Sequence, residues 1–211
     1  MEEQMDSNKE HASNRLLMKL FLEYKEESSL AWQQASDYGW FPNSQTSSEF
    51  KKYIKHGQVA FDEYMMNDLR PRTDIIHEEL IQKYSERRHI FDVAFSLHNS
   101  ENYIGAMPLF LAQIDGICAQ EIGRFLFNNH DVRIEKIKAV IEEIPEKEIP
   151  LAPLIKNTLF GANIRQTKFK NCAPNRNGIL HGSRKHLDYG TELNSLKCIS
   201  LLSYIADVFR K

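Results

Sequence analysis

Thr191-Glu192-Leu193-Asn194-Ser195-Leu196-Lys197-Cys198-Ile199-Ser200-Leu201-Leu202-Ser203-Tyr204-Ile205-Ala206-Asp207-Val208-Phe209 places Leu193, Leu196, Ile199, Leu202, Ile205 and Phe209 at helical spacing. The same period runs through the rest of the chain. Residues 8–36 have helical composition, with Leu16, Leu17, Leu20, Tyr24 and Leu30 among Glu and Lys. Asp37 to Ser44 holds Gly39 and Pro42 and breaks that pattern, its aromatics covering an adjoining face. Thr46-x-x-Glu49 has the form of a capping box and predicts a second helix to about Leu69. Thr73 and Asp74 suit the start of a third, whose stripe Ile76, Leu80, Tyr84, Phe91, Phe95 keeps helical spacing for several turns.

A fourth helix is predicted over about Tyr103 to Phe127, with Leu111, Ile114, Cys118, Ile122 and Phe125 on one face and Pro108 opening or kinking it. A shorter helix near Val132 to Ile144 and a Pro-bounded segment near Leu151 to Phe160 follow. Strand-like alternation is nowhere sustained. The expected fold is all-α, a helical bundle over residues 71–211 with a helical extension over residues 1–70 as an appendage or extra layer.

Between these helices lies a stretch of different character. From Ile149 to Leu187 there is no acidic residue, while Lys156, Arg165, Lys168, Lys170, Arg176, Arg184 and Lys185 are cationic. The whole chain has 27 Lys and Arg against 29 Asp and Glu, a formal net charge of -2. That balance argues against non-specific coating of nucleic acid, which needs a net basic footprint, but leaves room for a local basic patch. Within the stretch, Asn175-Arg176-Asn177-Gly178-Ile179-Leu180-His181-Gly182 holds an arginine and a histidine with four residues between them.

That motif, before the last core helix of an α-helical chain, resembles the HEPN superfamily (higher eukaryotes and prokaryotes nucleotide-binding). The family pattern is an arginine, four to six residues and a histidine, often with Asn directly after the arginine. Asp188-Tyr189-Gly190-Thr191-Glu192-Leu193-Asn194-Ser195-Leu196-Lys197 is similar to bacterial Abi-like members, in which a capped helix follows. Pro108-Leu109-Phe110-Leu111-Ala112-Gln113-Ile114-Asp115-Gly116-Ile117 is similar to a core helix of the same group. The resemblance covers about residues 73–211.

It implies a bundle of HEPN type and a metal-independent endoribonuclease of a toxin or phage-defence system, with no cofactor and an active site shared across a homodimer. RNA and an antitoxin or defence-system protein are the implied partners. The alternative is an inactive HEPN-type module that binds nucleotide, RNA or a partner protein. In toxins silenced by a nucleotidyltransferase, a tyrosine stands two residues after the histidine. Here Ser183 stands there, and Tyr189 is the nearest downstream tyrosine, which argues against control by tyrosine adenylylation.

The chemistry explains the residue types. Cleaving RNA without a metal needs a base for the 2′-hydroxyl, an acid for the leaving 5′-oxygen and a cation for the phosphorane. Histidine titrates near neutrality and suits either proton role. Arginine stays charged and presents a fork that matches two phosphate oxygens. Arg176 is expected to bind phosphate, His181 to transfer protons and Asn177 to assist. On one helical turn a spacing of five puts Arg176 and His181 about 140° apart; Gly178 relieves this if it starts the helix late and leaves Arg176 in a loop. One histidine lacks a second proton-transfer group, which a twofold dimer supplies. The opposing reading makes Arg176 a surface residue on helix carbonyls and His181 a buried, hydrogen-bonded core residue.

Other candidates are weaker. His98 follows Phe91 and Phe95 at helical spacing and reads as a satisfied core histidine. Asp115 and Glu121 read as helix-surface carboxylates. His77-Glu78-Glu79-Leu80-Ile81 starts like a zincin helix but has Ile81 where the second ligand belongs. His181 and His186 lack the one-turn spacing for a shared metal, so no metal site is expected. No Walker A or Rossmann glycine pattern occurs. The three cysteines form no CxxC pair, and Cys118 and Cys198 fall within apolar helical patterns. The N-terminal pattern fits neither a signal peptide nor a membrane span, so a soluble cytoplasmic protein is expected.

Overall fold

Nearly every segment with helical periodicity is helical, and no strand occurs among the described residues. The structure is a computed structural model that describes residues 2–127, 130–156, 159–168 and 170–209, with the side chains of 2–16, 21, 130 and 156 outside that description. Leu16 and Lys156, singled out in the sequence, therefore lie outside the described side chains. The helices are α1 (Glu2–Asp37), α2 (Phe50–Tyr53), α3 (Gln58–Leu69), α4 (Thr73–Lys83), α5 (Arg88–Asn99), α6 (Tyr103–Ile122), α7 (His130–Glu143), α8 (Glu148–Lys156), α9 (Arg176–Leu180) and α10 (Glu192–Val208), with short 3-10 turns between several of them. None of the helices is long and apolar enough to cross a membrane among the described residues.

The all-α bundle centres on α6, which packs against α5 on one side and α10 on another. Helix α4 joins α5, α3 and α4 both touch α10, and α1, α8 and α7 form a further layer. The segment from Ala31 to Leu69 shares the same core: Ala35, Trp40, Phe61 and Met65 are fully buried in one cluster with Phe110, Ile114, Leu202 and Tyr204.

Helix α10 is buried on nearly every side, and its polar residues have specific partners. The Ser200 hydroxyl accepts from the Phe41 N–H at 3.0 Å, and it also bonds the Phe41 carbonyl at 3.1 Å. Asn43 Nδ2 donates to Ser203 Oγ at 2.9 Å, and Ser44 donates twice to Asp207. Positions 200, 203 and 207 share one helix face, so residues 41–44 run along α10 as a polar zipper. Lys197 anchors it from inside. Its ammonium is fully buried, 2.9 Å from Asp62 Oδ1 and 2.8 Å from the Cys172 carbonyl, and lies over the Trp40 ring. Trp40 Nε1 donates to the same Asp62 oxygen at 2.6 Å. Burial pushes the Lys197 pKa down while Asp62 holds the charge in place. At Gly39, with φ +80°, a Cβ would come within 2.2 Å of the Cys172 carbonyl oxygen, so only glycine lets the two strands of chain meet there.

Several element boundaries differ from the sequence reading. The Thr46–Glu49 capping box does not form: Thr46 Oγ1 accepts from the Asn43 N–H instead, and α2 begins at Phe50. The expected helix to Leu69 is split at Gly57, whose φ of 90° and ψ of 173° end the first piece. The long third helix is also two. Tyr84, with φ -126° and ψ 60°, separates α4 from α5 although neither Gly nor Pro is present. Tertiary bonds explain the corner. The Tyr84 hydroxyl donates to Glu121 at 2.8 Å, and Arg87 reaches Gln113 and Gln120 of α6 at 2.9 and 3.0 Å.

Helix α6 ends at Ile122, before Gly123, and Pro108 lies inside it. The proline cannot donate to the Ile104 carbonyl one turn earlier. That carbonyl instead accepts from the Tyr189 hydroxyl at 3.2 Å.

Two outcomes follow. Asp62→Ala strands a fully buried ammonium and is expected to lower unfolding free energy by about 3–5 kcal/mol, measured by urea denaturation. His98 is buried with Nδ1 2.8 Å from Ser195 Oγ; burial pushes its pKa down, with a smaller opposing pull from Glu192. The neutral ring is therefore favoured by folding. Its contribution is complete above the unfolded value of about 6.5 and is lost as pH falls through the lower folded value. The urea midpoint of the wild type should drop more between about pH 7.5 and about pH 5 than that of His98→Gln.

Candidate functional site

Asn175 sets the local geometry of the motif. Its backbone is extended, and its side-chain oxygen accepts from the Gly178 N–H at 2.9 Å, capping α9. The Arg176 N–H donates to the Phe160 carbonyl at 2.7 Å, so the helix starts at Arg176 itself. The late start at Gly178 does not occur. Gly178 serves another purpose: a Cβ there would lie 2.3 Å from the ring of buried His186. The His186 ring is held by the Ile164 carbonyl, 3.1 Å from Nε2.

From the first position of α9, Arg176 reaches inward. Nη2 is 3.1 Å from Asp115 Oδ2, Nη1 donates to Asn177 Oδ1 at 3.0 Å, and the guanidinium lies 5.8 Å from the Phe127 ring centroid. Nε is buried with no hydrogen-bond partner among the described residues. Asn177 donates to the Gly161 and Ala162 carbonyls, both at 3.2 Å. Arg176 and Asn177 thus form one unit that fastens α9 to α6 and to the chain near residue 161.

Asp115 completes that unit and corrects its reading as a surface carboxylate. Only 8% of the residue is exposed, and Oδ1 accepts from the Phe127 N–H at 3.1 Å. Burial pushes its pKa up, against the pull of the Phe127 amide and the Arg176 guanidinium. The sequence did carry a signal. Asp115 and Glu121 are the only charged residues from Tyr103 to Ile122, a helix buried on several faces, so each needs a partner. Glu121 also has them: Tyr84, and Lys83 Nζ at 3.9 Å.

His181 lies apart from this unit. It follows the last residue of α9, is exposed, and its backbone N–H donates to the Asn177 carbonyl at 3.2 Å. Its ring forms no hydrogen bond or ion pair among the described residues, so the buried-core reading of His181 does not hold. Arg165, Arg184 and Lys185 of the acid-free stretch are likewise exposed, whereas Lys170 pairs with Asp188 at 2.7 Å. His77 sits 3.0 Å from Asp92 and stacks on Phe95. No group of three or more His, Cys, Asp or Glu side chains converges among the described residues.

Chemically, the segment offers an exposed imidazole, exposed cations at Arg165, Arg184 and Lys185, and, apart from the imidazole, a guanidinium braced by a carboxylate. Asp115→Ala would leave Arg176 half-buried without its counter-ion. Urea denaturation should show a loss of about 2–3 kcal/mol, and a smaller loss for Asp115→Asn, which still accepts from Phe127. No protein-family model, no curated protein and no solved structure matches this chain.

Proposed function

We propose that this chain is a metal-independent endoribonuclease of HEPN type, acting in a toxin or phage-defence system with an active site composed across a homodimer. The observation that carries the reading is the exposed ring of His181 at the end of α9, without a hydrogen bond among the described residues, in a segment free of acid from Ile149 to Leu187. His181 takes the proton of the ribose 2′-hydroxyl as that oxygen attacks phosphorus. The bond from phosphorus to the 5′-oxygen breaks, leaving a 2′,3′-cyclic phosphate, and the twin histidine of a second copy protonates the leaving oxygen. Arg184, Lys185 and Arg165 attract the strand, and Arg176, oriented by Asp115 and Asn177, stabilises the phosphorane charge. A separate antitoxin or defence protein would hold the activity in check.

A second reading has its own support. Both Nη groups of Arg176 are engaged by Asp115 and Asn177, which favours a silent module that binds RNA, nucleotide or a partner protein.

The test is cleavage of single-stranded RNA in excess chelator. His181→Ala should keep fold and dimer and lower the rate by about 10²–10⁴-fold. Unchanged cleavage by that variant sinks the nuclease reading. RNA bound but uncleaved by the wild type establishes the second.

A further inference from the structure

We infer that the cavity beside α9 is a ribonucleotide-binding subsite, taking one base of a single-stranded RNA with its phosphate at Lys170. The inference rests on the RNA reading above and adds the place where the strand is gripped. The cavity has a volume of about 330 Å³, and Asn175, the cap of α9, and Ile179 within it form one wall. That volume is within the range of small-ligand sites, about 300–1,000 Å³.

Its lining suits a nucleotide. Pro174, Ile179 and Leu193 supply apolar surface, and Tyr189 supplies an aromatic ring on which a base can stack. Base edges carry donors and acceptors, and the cavity holds both. The Asn171 side chain is exposed and has no hydrogen-bond partner among the described residues. Asn194 spends Nδ2 on the Tyr189 carbonyl at 3.0 Å, which leaves its side-chain oxygen to accept.

Charge gives the polarity. Lys170 is half-buried at the cavity and paired with the exposed carboxylate of Asp188, whose pKa it pulls down. In this subsite the remaining donors of the ammonium take the phosphate, and ribose hydroxyls donate to the carboxylate.

Titration of the full chain with each of the four ribonucleoside 5′-monophosphates tests this, followed by amide chemical shifts and calorimetry. Saturable binding is expected for at least one, with the shifts centred on Asn171, Tyr189 and Asn194. Asn171→Ala and Lys170→Met each remove a lining contact without touching the core, and each should weaken binding about five-fold or more. No saturable binding at millimolar nucleotide, or affinity unchanged in both variants, overturns the subsite. The two readings fail separately. Nucleotide binding by a protein that cleaves no RNA keeps the subsite and removes the nuclease, whereas RNA cleavage by a protein that binds no monophosphate does the reverse.

Discussion

A single buried ammonium holds the molecule's layers in register. Lys197 sits inside α10 with no exposure to solvent, which is tolerable only because Asp62, the Cys172 carbonyl and the Trp40 ring surround it. Those partners come from α3, from the acid-free segment and from the link after α1. Displacing any of them would leave charge in an apolar interior, so the three segments take one position relative to α10. The serine and asparagine bonds along 200, 203 and 207 then align the Trp40–Ser44 segment with the same helix.

The candidate site inherits its order from that frame. Cys172 is fastened at Lys197, and four residues later Arg176 opens α9 and turns its guanidinium to Asp115 of α6. One end of the motif is therefore anchored in the bundle. The other end, His181, emerges at the surface with its ring unengaged among the described residues. A braced cation and a free imidazole divide the work of the motif between holding shape and meeting solvent. Asn175 and Ile179 of the same segment line the cavity beside α9.

The helical periods were legible, because each long helix buries a stripe and the stripe repeats every three or four residues. The apolar stripes of α10 and α6 follow from that rule. The corner at Tyr84 was not legible. Neither Gly nor Pro marks it, and the break comes from bonds to Glu121, Gln113 and Gln120, which are distant in sequence. Thr46 misled for a related reason: its hydroxyl had a nearer donor in the Asn43 amide than in a helix end. At the site, Arg176, Asn177 and His181 were visible by their spacing, whereas the role of Asp115 depends on a contact 61 residues away.

What the sequence determined by itself was the helical class, the acid-free stretch and the arginine–histidine motif, since these depend on residue type and local spacing. The tertiary structure alone decided that Arg176 turns inward to a buried carboxylate while His181 faces solvent, and that Lys197 lies at the centre of the packing rather than on a surface. The physical reason is the same in each case. A charge has no preferred direction along its own helix, and its position is set by whichever distant partner satisfies it once water is excluded.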